Sequence, residues 1–385
     1  MRSSSPIRRG AAFMALLALT SVMLVACGGG GEGSPDESNA GGKNATPPND
    51  PSLVQIDEKR AKIPPVEAVA PTSGQLEDAV FVAVQDPGIQ ENVNLYLFGK
   101  DGKVICPITS DGMIKYDLTV SPDGKWLTFM LRPAIKPARK DVILMNLATG
   151  ESQNLTADFP PQLDVLRQRE TGGGANVFMN SSPSVTFDGK NVIFASKPLN
   201  GPCHLYAASV ESGELRQITK DTDDVKNRFL DPNASPATNE VVFSRVAADG
   251  PSRGKHRQLW ILDIASGDER RLTDNVEGEY RQPKWSPDGS AIAFVAADED
   301  MPRHWNIWVI NADGSGLRRV TDDAFPGDSM NICWRPNGKQ IAFIYREGID
   351  DIQENNEVYV VDVETHEVKQ LSRTPMFESS PGFLQ

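Results

Sequence analysis

Beyond residue 78 the chain is a succession of short apolar runs separated by polar turns, and the order of the runs repeats. A turn of the S-P-D-G type followed by an apolar stretch ending in Phe opens each unit. Its copies are VSPDGKWLTF at Gly124, VTFDGKNVIF at Gly189, ASPATNEVVF at Thr238, WSPDGSAIAF at Gly289 and WRPNGKQIAF at Gly338. Ser286-Pro287-Asp288-Gly289 supplies what a type I turn asks for: a side-chain acceptor, a proline with fixed φ, a small polar residue and a glycine. The next apolar run is NLYLF, VILMN, LYAAS, LWILD, IWVIN or VYVVD. After a second turn, each unit closes on a shorter run ending at Thr109, Thr156, Thr219, Thr273, Thr321 or Ser372. Self-similarity at a period of about 50 residues marks a repeat architecture.

Each unit therefore reads as four consecutive antiparallel strands joined by tight hairpins. The third run is apolar almost without interruption, so both faces of each small sheet must be covered. An all-β, six-bladed propeller of four-stranded antiparallel blades satisfies that requirement and removes the exposed sheet edges. The first unit enters at AVFVAV without an opening strand of its own, and the chain finishes on SSPGFLQ, which aligns with the opening strand of a unit. Residues 377–385 are expected to close the ring beside the strand that begins at Ala79, with residues 63–74 as the rival donor. At Ala237-Thr238 the Asp-Gly of the turn is lost, and Asn239 is expected to restore it by adopting positive φ.

Gln282 to Val295, Ile307 to Asn311 and Arg319 to Thr321 resemble the blade of the TolB-type propeller, in which P-x-W-S-P-D-G precedes I-A-F, an apolar strand and L-T. The resemblance covers residues 79–385 and implies the six-bladed fold. It suggests a partner in the cell envelope, either another envelope protein or a peptidoglycan-associated component. Similar blades occur in the non-catalytic half of prolyl-oligopeptidase-like enzymes, whose activity requires a following hydrolase domain with a G-x-S-x-G elbow. No such elbow is expected anywhere in the sequence, so that reading is set aside.

The N-terminal part belongs to a different class of sequence. Arg2, Arg8 and Arg9 precede an apolar run from Ala11 to Ala26, and Leu24-Val25-Ala26-Cys27 resembles a bacterial lipobox. Residues 1–26 read as a lipoprotein signal, Cys27 as the lipidated residue, residues 27–76 as a flexible tether and 77–385 as the propeller. Gly28 after Cys27 resembles the sorting signal for the outer membrane, which implies a periplasmic-side location held to the membrane through the lipid anchor. The formal charge of −13 disfavours nucleic acid as a partner. Cys106, Cys203 and Cys333 have no metal-knuckle spacing and read as free thiols. A monomer without cofactor, metal or catalytic residues is the expectation.

Strand order places the tight turns on one face and the longer, variable loops on the other. Binding usually resides in variable loops on a rigid scaffold. Two of these loops are basic in an acidic protein. Arg132, Lys136, Arg139 and Lys140 stand in one; Arg253, Lys255, His256 and Arg257 stand in the other. They are the candidate contacts to carboxylates of a partner protein or to an anionic envelope polymer. The leading functional reading is a non-catalytic protein-binding module or scaffold. The alternative is a carbohydrate-binding or carbohydrate-cleaving propeller, for which His204, His256 and His304, each near the start of a third strand, are the candidate metal ligands.

Overall fold

The computed structural model describes residues 79–85, 93–99, 103–111, 113–132, 140–157, 179–197, 202–220, 228–246, 257–273, 278–297, 305–321, 328–346, 357–372 and 377–383. Among these residues there are six four-stranded antiparallel sheets and no helix. Blades 2 to 6 each follow chain order from inner to outer strand and occupy residues 114–154, 179–217, 228–271, 280–319 and 328–370. Each inner strand touches the inner strands of both neighbouring blades, so the six close into a ring. The protein is a six-bladed β-propeller.

Blade 1 is made from both ends of the propeller sequence. Phe377–Phe383 pairs antiparallel with Val80–Gln85, Val80 opposite Phe383 and Gln85 opposite Phe377. The C-terminal strand thus closes the ring, and the position for which residues 63–74 were the rival is filled. Residues 63–74, like the signal segment, Cys27 and the tether, lie outside the described residues.

Two local devices explain why the repeat keeps its residues. In blade 5 the Ser286 hydroxyl donates to Asp288 Oδ1 at 2.6 Å and accepts from the Ala291 N–H at 2.9 Å, while Gly289 takes φ 72°. Ser121/Asp123 and Thr186/Asp188 repeat this geometry. In blade 4 the expected rescue does not occur, because Asn239 is not among the residues with positive φ. There Ser235 Oγ accepts from the N–H groups of Ala237 and Thr238, and this pair of bonds holds a turn that needs no left-handed residue.

The second device is the terminal Thr or Ser. In every blade its hydroxyl oxygen accepts the N–H of the third strand, as Thr273 does from Leu259 at 3.2 Å and Thr321 from Ile307 at 2.9 Å. The same hydroxyl also meets the side chain just before that N–H. Its partners are Asn94, Asp141, His204, Gln258, Asn306 and Glu357, all buried. A buried N–H at the end of a sheet is costly unless paired, and this hydroxyl pairs it. Between the blades lie Phe129, Phe194, Phe243, Phe294 and Phe343, the phenylalanines of the opening motif, all fully buried.

Candidate functional site

The inner strands meet around the axis, and each carries a β-bulge at the same place. In five of them the bulged residue is not glycine yet lies in the left-handed region: Asp117 (φ 53°), Ser182 (53°), Asp231 (51°), Gln282 (52°) and Asn331 (53°). Each stands seven residues before the Gly, or Thr238, of its turn. The left-handed conformation is unfavourable for residues with a Cβ and costs on the order of 1 kcal/mol or more. Hydrogen bonds between neighbouring blades oppose that cost. Asp117 Oδ2 accepts from the Ser182 N–H at 3.3 Å, Asp231 Oδ2 from the Gln282 N–H at 3.0 Å, and Gln282 Oε1 from the Asn331 N–H at 2.7 Å. The Gln282 amide returns a bond to Asn331 Oδ1 at 3.1 Å. The axis is thus ringed by polar side chains that join one blade to the next.

This ring surrounds a cavity of about 40 Å³ that also takes in Lys284. A second cavity of about 30 Å³ shares Lys284 but is lined mainly by apolar groups, among them Trp285, Ile332, Trp334 and Phe383. Space on this scale holds about three waters and no sugar ring. Loss of water around Asp117 raises its carboxyl pKa; the Lys284 charge and the Ser182 N–H oppose the rise, and the Asp231 charge adds to it.

On the loop-bearing side, the residue at or just before the start of the third strand leans inward over the mouth in three blades. Lys140 Nζ lies 4.9 Å from the centroid of the Tyr116 ring. Arg257 forms an ion pair with the ring residue Asp231. Trp305 stacks with Arg281, whose guanidinium carbon is 4.3 Å from the indole centroid and whose Nε donates to Glu279 Oε1 at 2.7 Å. The guanidinium of Arg281 keeps substantial exposure, 39% for the side chain, against 11% for Arg257.

Of the eight basic-loop residues predicted from sequence, three are described. Arg132 ends a second strand and is exposed. Lys140 sits over Tyr116. Arg257 is mostly buried; desolvation lowers its pKa, Asp231 opposes that shift, and Nε has no hydrogen-bond partner among the described residues. Arg257 is therefore a clasp between the rim and the polar ring. Lys136, Arg139, Arg253, Lys255 and His256 lie outside the described residues, as does His304. His204 is buried against Thr219, in the hydroxyl device that holds blade 3. Residues 250–254 read G-P-S-R-G, a formal match to the hydrolase elbow spacing. They lie between two antiparallel strands of one blade and outside the described residues, whereas the elbow joins a strand to a helix.

The sequence reasoning missed the five left-handed residues, Arg281 and Trp305. The fixed seven-residue offset from the turn was a usable signal for the five. Their identities, Asp, Ser, Asp, Gln and Asn, share polarity and little else.

Comparison with known proteins gives the following. A family described as the dipeptidyl peptidase IV (DPP IV) N-terminal region matches residues 253–332. The chain is 26% identical over 228 residues to an uncharacterized protein of Agrobacterium fabrum, spanning 58% of this chain and 63% of that one. It is 28% identical over 220 residues to the Tol-Pal system protein TolB of Gluconobacter oxydans, spanning 57% of this chain and 43% of that one. The matches therefore cover less than two thirds of the length of either relative. Among solved structures, TolB from Acinetobacter baumannii superposes with a TM-score of 0.59 at 17% identity, over 80% of this chain and 67% of that one.

Proposed function

We propose that this TolB-like propeller is a non-catalytic docking module of the bacterial cell envelope, anchored through a lipid on Cys27, that takes a protein partner on the loop-bearing mouth of its ring. The observation that carries this reading is the asymmetry of the two faces. On one, the turns among the described residues are short and their Ser, Thr, Asp or Asn side chains bond within the turn, as at Ser286–Asp288. On the other, charged and aromatic side chains project over a polar, strained ring. Strained residues held by surrounding structure concentrate where a protein binds or switches. Relatives that include a Tol-Pal system protein TolB support an envelope protein as the partner class. Arg132, Lys136, Arg139, Lys140, Arg253, Lys255 and His256 are the proposed contacts in the loops, with Arg257 holding the rim in shape.

In-cell crosslinking followed by mass spectrometry tests the proposal. Photo-crosslinkers at Arg132 and Lys140 should capture an envelope protein, and crosslinkers at Lys125 and Lys339 in the tight turns should not. Capture from the tight turns alone, or no protein captured from either face, overturns it.

A further inference from the structure

The outer strands of the six blades differ in one respect. An outer strand leaves a row of N–H and C=O groups unpaired, and polar or charged side chains there keep the edge from pairing with another segment. In blades 2 to 6 the outer strands expose Gln153, Arg216, Arg270, Arg318 and Lys369. In blade 1 the outer strand Val104–Pro107 reads Val-Ile-Cys-Pro and carries no charge. Val104 is 42% exposed and Ile105 38%, and with Phe187 they are the exposed large hydrophobics among the described residues. Ile105 is the extra residue of a bulge, since Leu97 pairs with Cys106 and Phe98 with Val104. Cys106 packs against the core shared by blades 1 and 2. Pro107 lacks an N–H and so blunts one end of this edge, leaving Val104 and Ile105 open.

The path of the chain names an occupant. Val80, Phe98 and Val104 lie in one row across blade 1. The chain before Ala79 therefore arrives at the end of the blade that bears Val104. Residues 66–70, Val-Glu-Ala-Val-Ala, belong to the stretch that rivalled the C-terminus for ring closure. Phe377–Phe383 fills that inner position, which leaves the outer edge of the same blade as the open one. A strand beyond Val104–Pro107 would lie three strand spacings from Val80, about 14 Å. Residues 71–78 can span up to about 26 Å. Laid antiparallel to Val104–Pro107, the segment ends beside Val104, at the end where Val80–Gln85 starts, and the connection need not recross the blade. So short a connection holds the segment at an effective concentration on the order of millimolar or above, so that a small contact suffices. A second copy fits less well, because two four-residue edges bury far less than the roughly 1,000 Å² of a stable interface.

We propose that residues 66–70 dock antiparallel on the outer edge of blade 1, covering Val104 and Ile105 and fixing the N-terminal tether to the wall of the ring. Val66 and Val69 supply the apolar surface. The path to Cys27 then leaves the propeller beside Pro107, at the loop-bearing end of blade 1, rather than from Ala79 at the tight-turn end. The inference is independent of whether the mouth takes a partner.

The test is hydrogen–deuterium exchange on the full chain in detergent, read at residues 66–70 and 104–107. The amides of 66–70 should exchange at least about tenfold more slowly than in a free peptide of the same sequence, at every protein concentration. Val104→Asp with Ile105→Asp, both at exposed positions, should return 66–70 to the peptide rate. Val66→Asp with Val69→Asp should speed exchange at 104–107. Phe187→Asp, at an exposed apolar residue of blade 3, should change neither. Thermal melts check that the variants keep the fold, and the pair at 66 and 69, outside the six blades, keeps the test decisive if the edge pair melts early. Peptide-like exchange at 66–70 in the wild type, or slow exchange there that survives Val104→Asp with Ile105→Asp, overturns the inference. Protection of 104–107 that grows with protein concentration and ignores Val66→Asp with Val69→Asp overturns it in favour of a second copy.

Discussion

At the scale of single residues, two groups of aspartates behave in opposite ways, and the difference is measurable. Asp288 in its turn is held below the usual carboxylate range by the Ser286 hydroxyl and the Ser290 N–H. Its contribution to stability is present above the unfolded pKa and is lost as pH falls through the folded one. Asp117 at the axis is shifted upward, chiefly by desolvation. Its contribution is complete below the unfolded value and is lost as pH rises through the folded one. Asp117→Asn removes only the second behaviour. The melting temperature of the variant minus that of the wild type should therefore rise between about pH 4 and pH 7, starting near the ordinary Asp pKa of about 3.9. Because the turn aspartates are common to both proteins, they cancel in the difference. A difference that falls over this range contradicts the assignment. Neither group was equally visible beforehand. The turn aspartates stand in a recurring four-residue motif, whereas Asp117 is one of five bulged residues of varied identity. Apolar periodicity reports which faces are covered, and a residue whose role is to point into a polar axis leaves no mark in it.

At the scale of elements, the apolar runs carried nearly all the strand information. The six third strands fall where NLYLF through VYVVD predicted them, and the terminal Thr or Ser of each unit proves to be the hydroxyl that seals the third strand. The one local miss, at Asn239, arose because a missing glycine was assumed to need a substitute in the left-handed region. Ser235 instead satisfied the turn by hydrogen bonding. The element on which the rest depends is the C-terminal strand Phe377–Phe383. It covers Val80, Val82 and Val84 together with the last blade, and Phe383 is 2% exposed. Removing residues 374–385 leaves an apolar strand edge open and deletes a buried phenylalanine, whose truncation alone typically costs about 3–5 kcal/mol. Size-exclusion chromatography and thermal melting should show an associating species without a cooperative transition. A monomer that melts like the full chain would contradict closure by this strand.

At the scale of the whole molecule, a ring of six blades has two unlike faces, and the account assigns function to one of them. Fold and closure could be read from the sequence because repeats restate the same physical requirement in each unit. The mouth could not, since it is assembled from single residues contributed by different blades: Tyr116 and Lys140 from one, Asp231 and Arg257 from another, Arg281 and Trp305 from a third. Loop composition singled out Arg257 as a contact for a partner, whereas the fold pairs it with Asp231 as a clasp. The most direct test of the central claim is hydrogen–deuterium exchange on the full chain, alone and bound to the captured partner. The account predicts slowed exchange at residues 114–117, 140–142, 257–259, 279–282 and 305–307 on the mouth, with the turns at 121–125, 286–290 and 335–339 unchanged. Protection confined to those turns, with the mouth unchanged, would contradict it.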